Sequence, residues 1–136
     1  MAVVTGTRGI ISVLPGQGLA PTENTYVVTL ASTTPDAGLT AHAGGGQALA
    51  TPITTKFARF SVVATAADSS VLPPASTPGS SVFVINAGAA AMNVFPNGAT
   101  DIINALAVQT AFSVSAGKSC EFICAATGKW NTQLSA

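Results

Sequence analysis

A chain of 136 residues in which only 7% are Asp, Glu, Lys or Arg, against about 25% in ordinary soluble domains, can build one core but cannot coat itself with charge. Five basic and five acidic residues cancel to a formal net charge of zero. Because Arg8, Lys56, Arg59, Lys118 and Lys129 are scattered, this composition argues against direct contact with nucleic acid, which needs clustered cations. The longest apolar runs fall well short of the ~18 residues of a membrane span, so a membrane partner is not expected either.

A domain of this mass exposes roughly 6,500 Å² when folded, or about one charge per 650 Å². Such a surface is either clad in Ser, Thr, Asn, Gln, Ala and Gly or partly covered by other subunits. A neutral chain has no repulsion to keep copies apart, which favours the second; a secreted or surface-displayed β domain rich in Ser and Thr is the plainer alternative. The opening residues, Met1 to Arg8, lack the basic segment and apolar core of a signal peptide, which makes a cytoplasm the expected place of synthesis.

In chain order, Val3-Val4 and residues 10–14 are apolar enough for one or two short strands, ended by Pro15-Gly16-Gln17-Gly18. An extended arm over residues 1–14 is the alternative, with Ile10 and Ile11 as candidate interface residues. Gly16-Gln17-Gly18 fails as a dinucleotide fingerprint, since Pro21 stands where the third glycine belongs. Residues 26–31 alternate cleanly as a strand. Residues 32–51 hold Pro35, Gly38, His42 and Gly44-Gly45-Gly46, a long flexible loop that either orders against a neighbour or stays at the surface. Residues 53–64 carry the longest expected strand, with Phe60, Val62 and Ala64 on one face. Residues 69–80, with Pro73-Pro74 and Pro78-Gly79, suit a stiff Greek-key crossover.

The C-terminal part has the most regular punctuation. Val82-Phe83-Val84-Ile85 is closed by Asn86-Ala87-Gly88, and Asn93-Val94-Phe95 by Pro96-Asn97-Gly98. Both faces of 82–85 are apolar, which marks a strand covered on two sides. Residues 101–108 fit a short helix capped by Thr100 or a strand ending in a turn. Residues 111–116 form another strand, Gly117-Lys118 a hairpin turn, and residues 120–126 a further strand before Gly128 and Trp130. Short strands at this spacing predict a single all-β domain, an antiparallel sandwich or barrel. Cys120 and Cys124 lie on one face of their strand about 13 Å apart, too far for a disulfide, and read as small buried hydrophobes.

No reaction centre emerges. Gly117-Lys118-Ser119 lacks the glycine a phosphate loop needs, since position 112 is Phe. There is no Gly-x-Ser-x-Gly elbow, the single His42 has no metal partners at ligand spacing, and Glu23, Asp36, Asp68, Asp101 and Glu121 are dispersed. The chain is therefore expected to be no enzyme and to need no cofactor. Trp130 and Tyr26 could stack on a sugar, although a lone Trp in a small β domain more often plugs its core or an interface.

The pattern Val84-Ile85-Asn86-Ala87-Gly88, Asn93-Val94-Phe95-Pro96-Asn97-Gly98, Ile103-Asn104, Ala116-Gly117-Lys118-Ser119, Phe122 and Gly128-Lys129-Trp130 resembles the head decoration, or cement, proteins of tailed bacteriophages. The resemblance covers roughly the last 55 residues and rests on turn and core positions. It implies a jelly-roll-like β domain that is displayed on the virion. As a dimer or trimer it would bind the outside of an expanded capsid and clamp neighbouring copies of the major capsid protein. Phe95 and Trp130 would then support the scaffold, and the first 14 residues and the 32–51 loop would reach neighbours. A tail-fibre or surface-adhesin domain that binds a host glycan or protein is the competing expectation.

Overall fold

The structure, a computed structural model, describes residues 35–44 and 46–136, together with the backbone of strands β1 (Ile10–Val13) and β2 (Tyr26–Thr29). The chain, read above as one domain, divides into two compact units, Met1–Thr33 and Thr34–Ala136. In the first, β1 and β2 pair antiparallel, Ile10 opposite Thr29 and Val13 opposite Tyr26.

The second unit contains β3 (Asp36–Thr40), β4 (Thr51–Pro52), β5 (Phe57–Val62), β6 (Asp68–Val71), β7 (Ser81–Asn86) and β8 (Met92–Phe95). These six alternate between two sheets. β3, β5 and β7 lie side by side in one and β4, β6 and β8 in the other, and within each sheet the neighbours run parallel. Leu39 stands beside Phe60 and Ala58 beside Val84; Thr51 stands beside Ser70 and Asp68 beside Met92. Each winding, of roughly 20 to 25 residues, supplies one strand to each sheet, as in a short solenoid.

The remaining strands are β9 (Ile102–Ile103), β10 (Phe112–Val114), β11 (Ser119–Ala126) and β12 (Lys129–Leu134). β10 adds antiparallel to β8, β11 adds antiparallel to β7, β12 folds back on β11, and β9 runs parallel to β12. The sheets are thus β10-β8-β6-β4 and β3-β5-β7-β11-β12-β9.

The all-β expectation holds, but the pairing is mixed where an antiparallel sandwich was expected. Parallel neighbours need a crossover, commonly a helix; here the crossover is a strand of the opposite sheet. Several segments change accordingly. Residues 32–51 contain β3 and a 3-10 turn at Gln47–Leu49. The 53–64 strand contracts to Phe57–Val62, and the eight-residue β11 is the longest strand. The 69–80 crossover begins inside β6, whose sheet it leaves to reach β7 in the other. Gly117, at φ 71°, joins β10 to β11 across the sheets, so the turn there is not a hairpin. Ile102-Ile103 resolves as a strand ending in a turn.

Alternation places one face of each strand inside. Ala58 and Phe60 of β5, Val82 and Val84 of β7, and Cys120, Phe122 and Cys124 of β11 join Met92, Val94 and Val114 of the other sheet in one core, with Ile103 and Trp130. Phe112 meets Phe122 edge to face, with ring centroids 5.9 Å apart, a geometry worth about 1 kcal/mol beyond area burial. Only one face of β7 enters this core; Phe83 and Ile85 on the other are half-buried.

The polar centre of this core is Asn86. Its Nδ2 donates to the carbonyls of Ala90 and Val114, both at 2.8 Å, while its Oδ1 accepts the Gly88 N–H at 3.0 Å. Its backbone N–H donates to Lys118 O and its carbonyl accepts the Gly117 N–H. One side chain therefore ties the end of β7, the return toward β8, and β10. Gly88 is required beside it, because a Cβ there would lie 2.5 Å from the backbone nitrogen and Cβ of Val63. We expect Asn86→Ala to lower stability by about 3 kcal/mol, since it leaves the buried Val114 carbonyl and the part-buried Ala90 carbonyl and Gly88 N–H unpaired. Gly88→Ala should also destabilise in urea titrations, whereas Gly38→Ala, into open space, should change the midpoint little.

Candidate functional site

The structure separates the residues singled out in sequence. Val84 and Trp130 are fully buried in the one core cluster. Phe95 closes β8, is half-buried, and accepts the Leu72 N–H on its carbonyl at 2.9 Å. Ile10 and Ile11 lie on β1, and their side chains fall outside the described residues.

Trp130 stands between Cys124 of β11 and Ile103 of β9. Burial leaves 1% of it exposed, yet its indole N–H has no hydrogen-bond partner. It contributes to the wall of a groove of about 340 Å³. The Thr54–Lys56 turn forms one side and the Pro73–Thr77 connection the other, with Ser80 and Val82 at the start of β7. Proline rings, hydroxyls and the single cation Lys56 make this groove suited to a polar or anionic group that also presents an apolar face. Sequence reading missed it because its two sides lie on consecutive windings, and nothing in either segment alone indicates that they meet.

The titratable groups have structural tasks. Asp68 is almost wholly buried at the start of β6. It accepts from the Thr65 hydroxyl at 2.6 Å and from the N–H groups of Thr65, Ala64 and Gly44 at 3.0, 2.8 and 3.3 Å. These donors, the Thr65 hydroxyl foremost and then the Thr65 N–H, favour the carboxylate. They outweigh burial and hold its pKa down at about 2. The carboxylate closes the β5–β6 turn, where Ala67 has a φ of 79°, and fastens it to the 42–44 loop. His42 pairs its backbone with Ser69 and bonds Gly44 O through Nδ1 at 3.1 Å. Cys120 and Cys124 are free and buried on either side of Phe122. Burial first, and the Glu121 charge beside it, push the Cys120 thiol up to about 11, far from a reactive thiolate. Among the described residues no group of His, Cys, Asp and Glu could hold a metal ion.

No protein-family model matches the chain, and no curated protein or solved structure shows significant similarity to it.

Two measurements follow from these environments. Trp130→Phe removes no hydrogen bond and should cost about 1 kcal/mol in thermal or urea unfolding, against about 3–5 kcal/mol for Trp130→Ala. The folded pKa of Asp68 lies below the ordinary value of 3.8. Its contribution to stability is therefore complete above about pH 4 and is lost as pH falls toward 2. Asp68→Asn should flatten the urea midpoint across that window, and a midpoint that falls as steeply in the variant would remove the assignment.

Proposed function

We propose that this protein is a non-enzymatic phage structural protein that binds the outer surface of an expanded capsid and stabilises it by clamping neighbouring copies of the major capsid protein. The observation that carries this reading is the pair of open edges left by the first winding. β3 ends the six-stranded sheet and β4 the four-stranded one, and neither has a further partner strand among the described residues. Ala37, Gly38 and Thr40 of β3 are exposed. Such an edge accepts an added strand from another chain, and the scarcity of charge keeps the desolvation cost of covering it low. The winding of two sheets supplies the rigid body, in place of the jelly roll that the resemblance implies.

Nothing is turned over in such a mechanism. Each copy binds assembled shell and not free subunits, so shell stability rises by mass action. No helix of the described residues is long and apolar enough to cross a membrane.

A tail-fibre or adhesin domain is the second reading, favoured by the groove beside Trp130 with its hydroxyls and Lys56, chemistry that suits a glycan.

Sedimentation with expanded heads that lack decoration tests the first. Bound copies should saturate at a fixed ratio to capsid subunits, and the heads should resist heat better. Deletion of residues 1–14 should weaken binding while leaving the unfolding transition of the remainder in place. Protein left in the supernatant, together with binding to host cells, would transfer the assignment to the adhesin.

A further inference from the structure

The outward face of the six-stranded sheet carries a pattern that the core does not explain. Phe57 and Phe83 lean together across β5 and β7 with ring centroids 6.1 Å apart. Ile85 lies two residues farther along β7, and Ile123 stands on β11 opposite Ser81. All four are half-buried, and Phe83 and Glu121 border a shallow depression of about 180 Å³ that extends to Gln133. Two opposite charges flank this apolar strip: Arg59 on β5, beside Ile85, and Glu121 on β11, beside Phe83. Strand spacing and rise put their Cα atoms about 12 Å apart, on opposite sides of β7. Among the described residues the Glu121 carboxylate has no hydrogen-bonded donor, and the guanidinium of the exposed Arg59 donates to Ala37 O alone, at 3.1 Å.

We propose that this face is a self-association surface, covered by the same face of a second copy of this chain. A two-fold axis lying between the faces, perpendicular to the line from Arg59 to Glu121, sets each arginine against the partner's glutamate and buries the apolar strip between two such pairs. The pattern is self-complementary, which is what an isologous contact needs. In a chain of zero net charge, no long-range repulsion opposes it. The four central strands offer roughly 350 Å² per copy in projection. The total of about 700 Å² is below the ~1,200 Å² of a standard interface, so the dimer dissociates on dilution. This inference does not depend on the capsid reading.

Sedimentation velocity of the full chain over roughly 5–500 µM tests it in the range where an interface of this size exchanges. The weight-average coefficient should rise from monomer to dimer. Arg59→Glu and Glu121→Arg each set like charges together and should raise the dissociation constant about tenfold or more. The double reversal R59E/E121R should bring it back to within about threefold of the parent. Ile123→Ser, which leaves the charges alone, should weaken the dimer too and serves where a reversal disturbs the fold. A monomer at every concentration, a dimer indifferent to Arg59, Glu121 and Ile123, or single reversals that the double variant does not rescue would each overturn the proposal.

Discussion

Asn86 is where the two sheets are held in step. A winding of parallel strands must leave one sheet and enter the other at every turn, and each departure exposes backbone carbonyls and amides at the rim of an apolar core. At the end of β7 those groups are satisfied by one side chain, which bonds to Ala90, Val114 and Gly88 at 3.0 Å or less. An unsatisfied buried polar group costs on the order of 1–3 kcal/mol. The departure of the chain is tolerable there only because the amide is present, and Gly88 adds the close approach to Val63 that lets the turn sit against β5. Asp68 has the same task one winding earlier, with a carboxylate in place of an amide and hydroxyl and backbone donors in place of carbonyl acceptors. Asp101 repeats it at the other end, accepting the Ala75 N–H at 2.8 Å. Asn86, Asp68 and Asp101, three of the buried polar residues, stand at the corners of this domain.

The outer surface follows a different economy. With ten charged residues in the whole chain, contacts between copies or with a partner cost little charge desolvation, and specificity has to come from shape, backbone pairing and a few well-placed ions. Open strand edges and a sheet face that carries charges of opposite sign are the forms such specificity takes.

Much of the local structure was legible in the sequence. The runs around Val84, Val94 and Phe122 alternate with turn residues, and they became β7, β8 and β11 within a residue or two. The two cysteines sit on the inner face of one strand, as their spacing of four required. Topology was not legible. Alternation records which face of a strand is buried but not the direction of its neighbour, and no helix announced the parallel crossovers because opposite strands perform them. β3 escaped notice because Asp36-Ala37-Gly38 carries none of the β-branched residues that mark a strand; it exists through pairing with Phe60 and its neighbours. The groove beside Trp130 was invisible for a related reason, since its walls come from separate windings. Apolar residues on both faces of 82–85 predict a strand covered on two sides; the core covers the side of Val82 and Val84, and Phe83 and Ile85 on the other are half-buried.

The order of the six-stranded sheet also dictates an order of completion. β7 sits between β5, made before it, and β11, made more than thirty positions later. On a growing chain the first windings can stack as they emerge, but the second edge of β7 has no native partner until Ser119 to Ile123 have been made. Until then its backbone donors and acceptors on that side are free to pair with any extended segment nearby. The β11–β12 ribbon, whose contacts are the most local in the unit, can form by itself and then dock as one piece. The β11–β12 ribbon is therefore the lock, and a chain halted before it would carry a nearly finished winding with its most adhesive edge exposed.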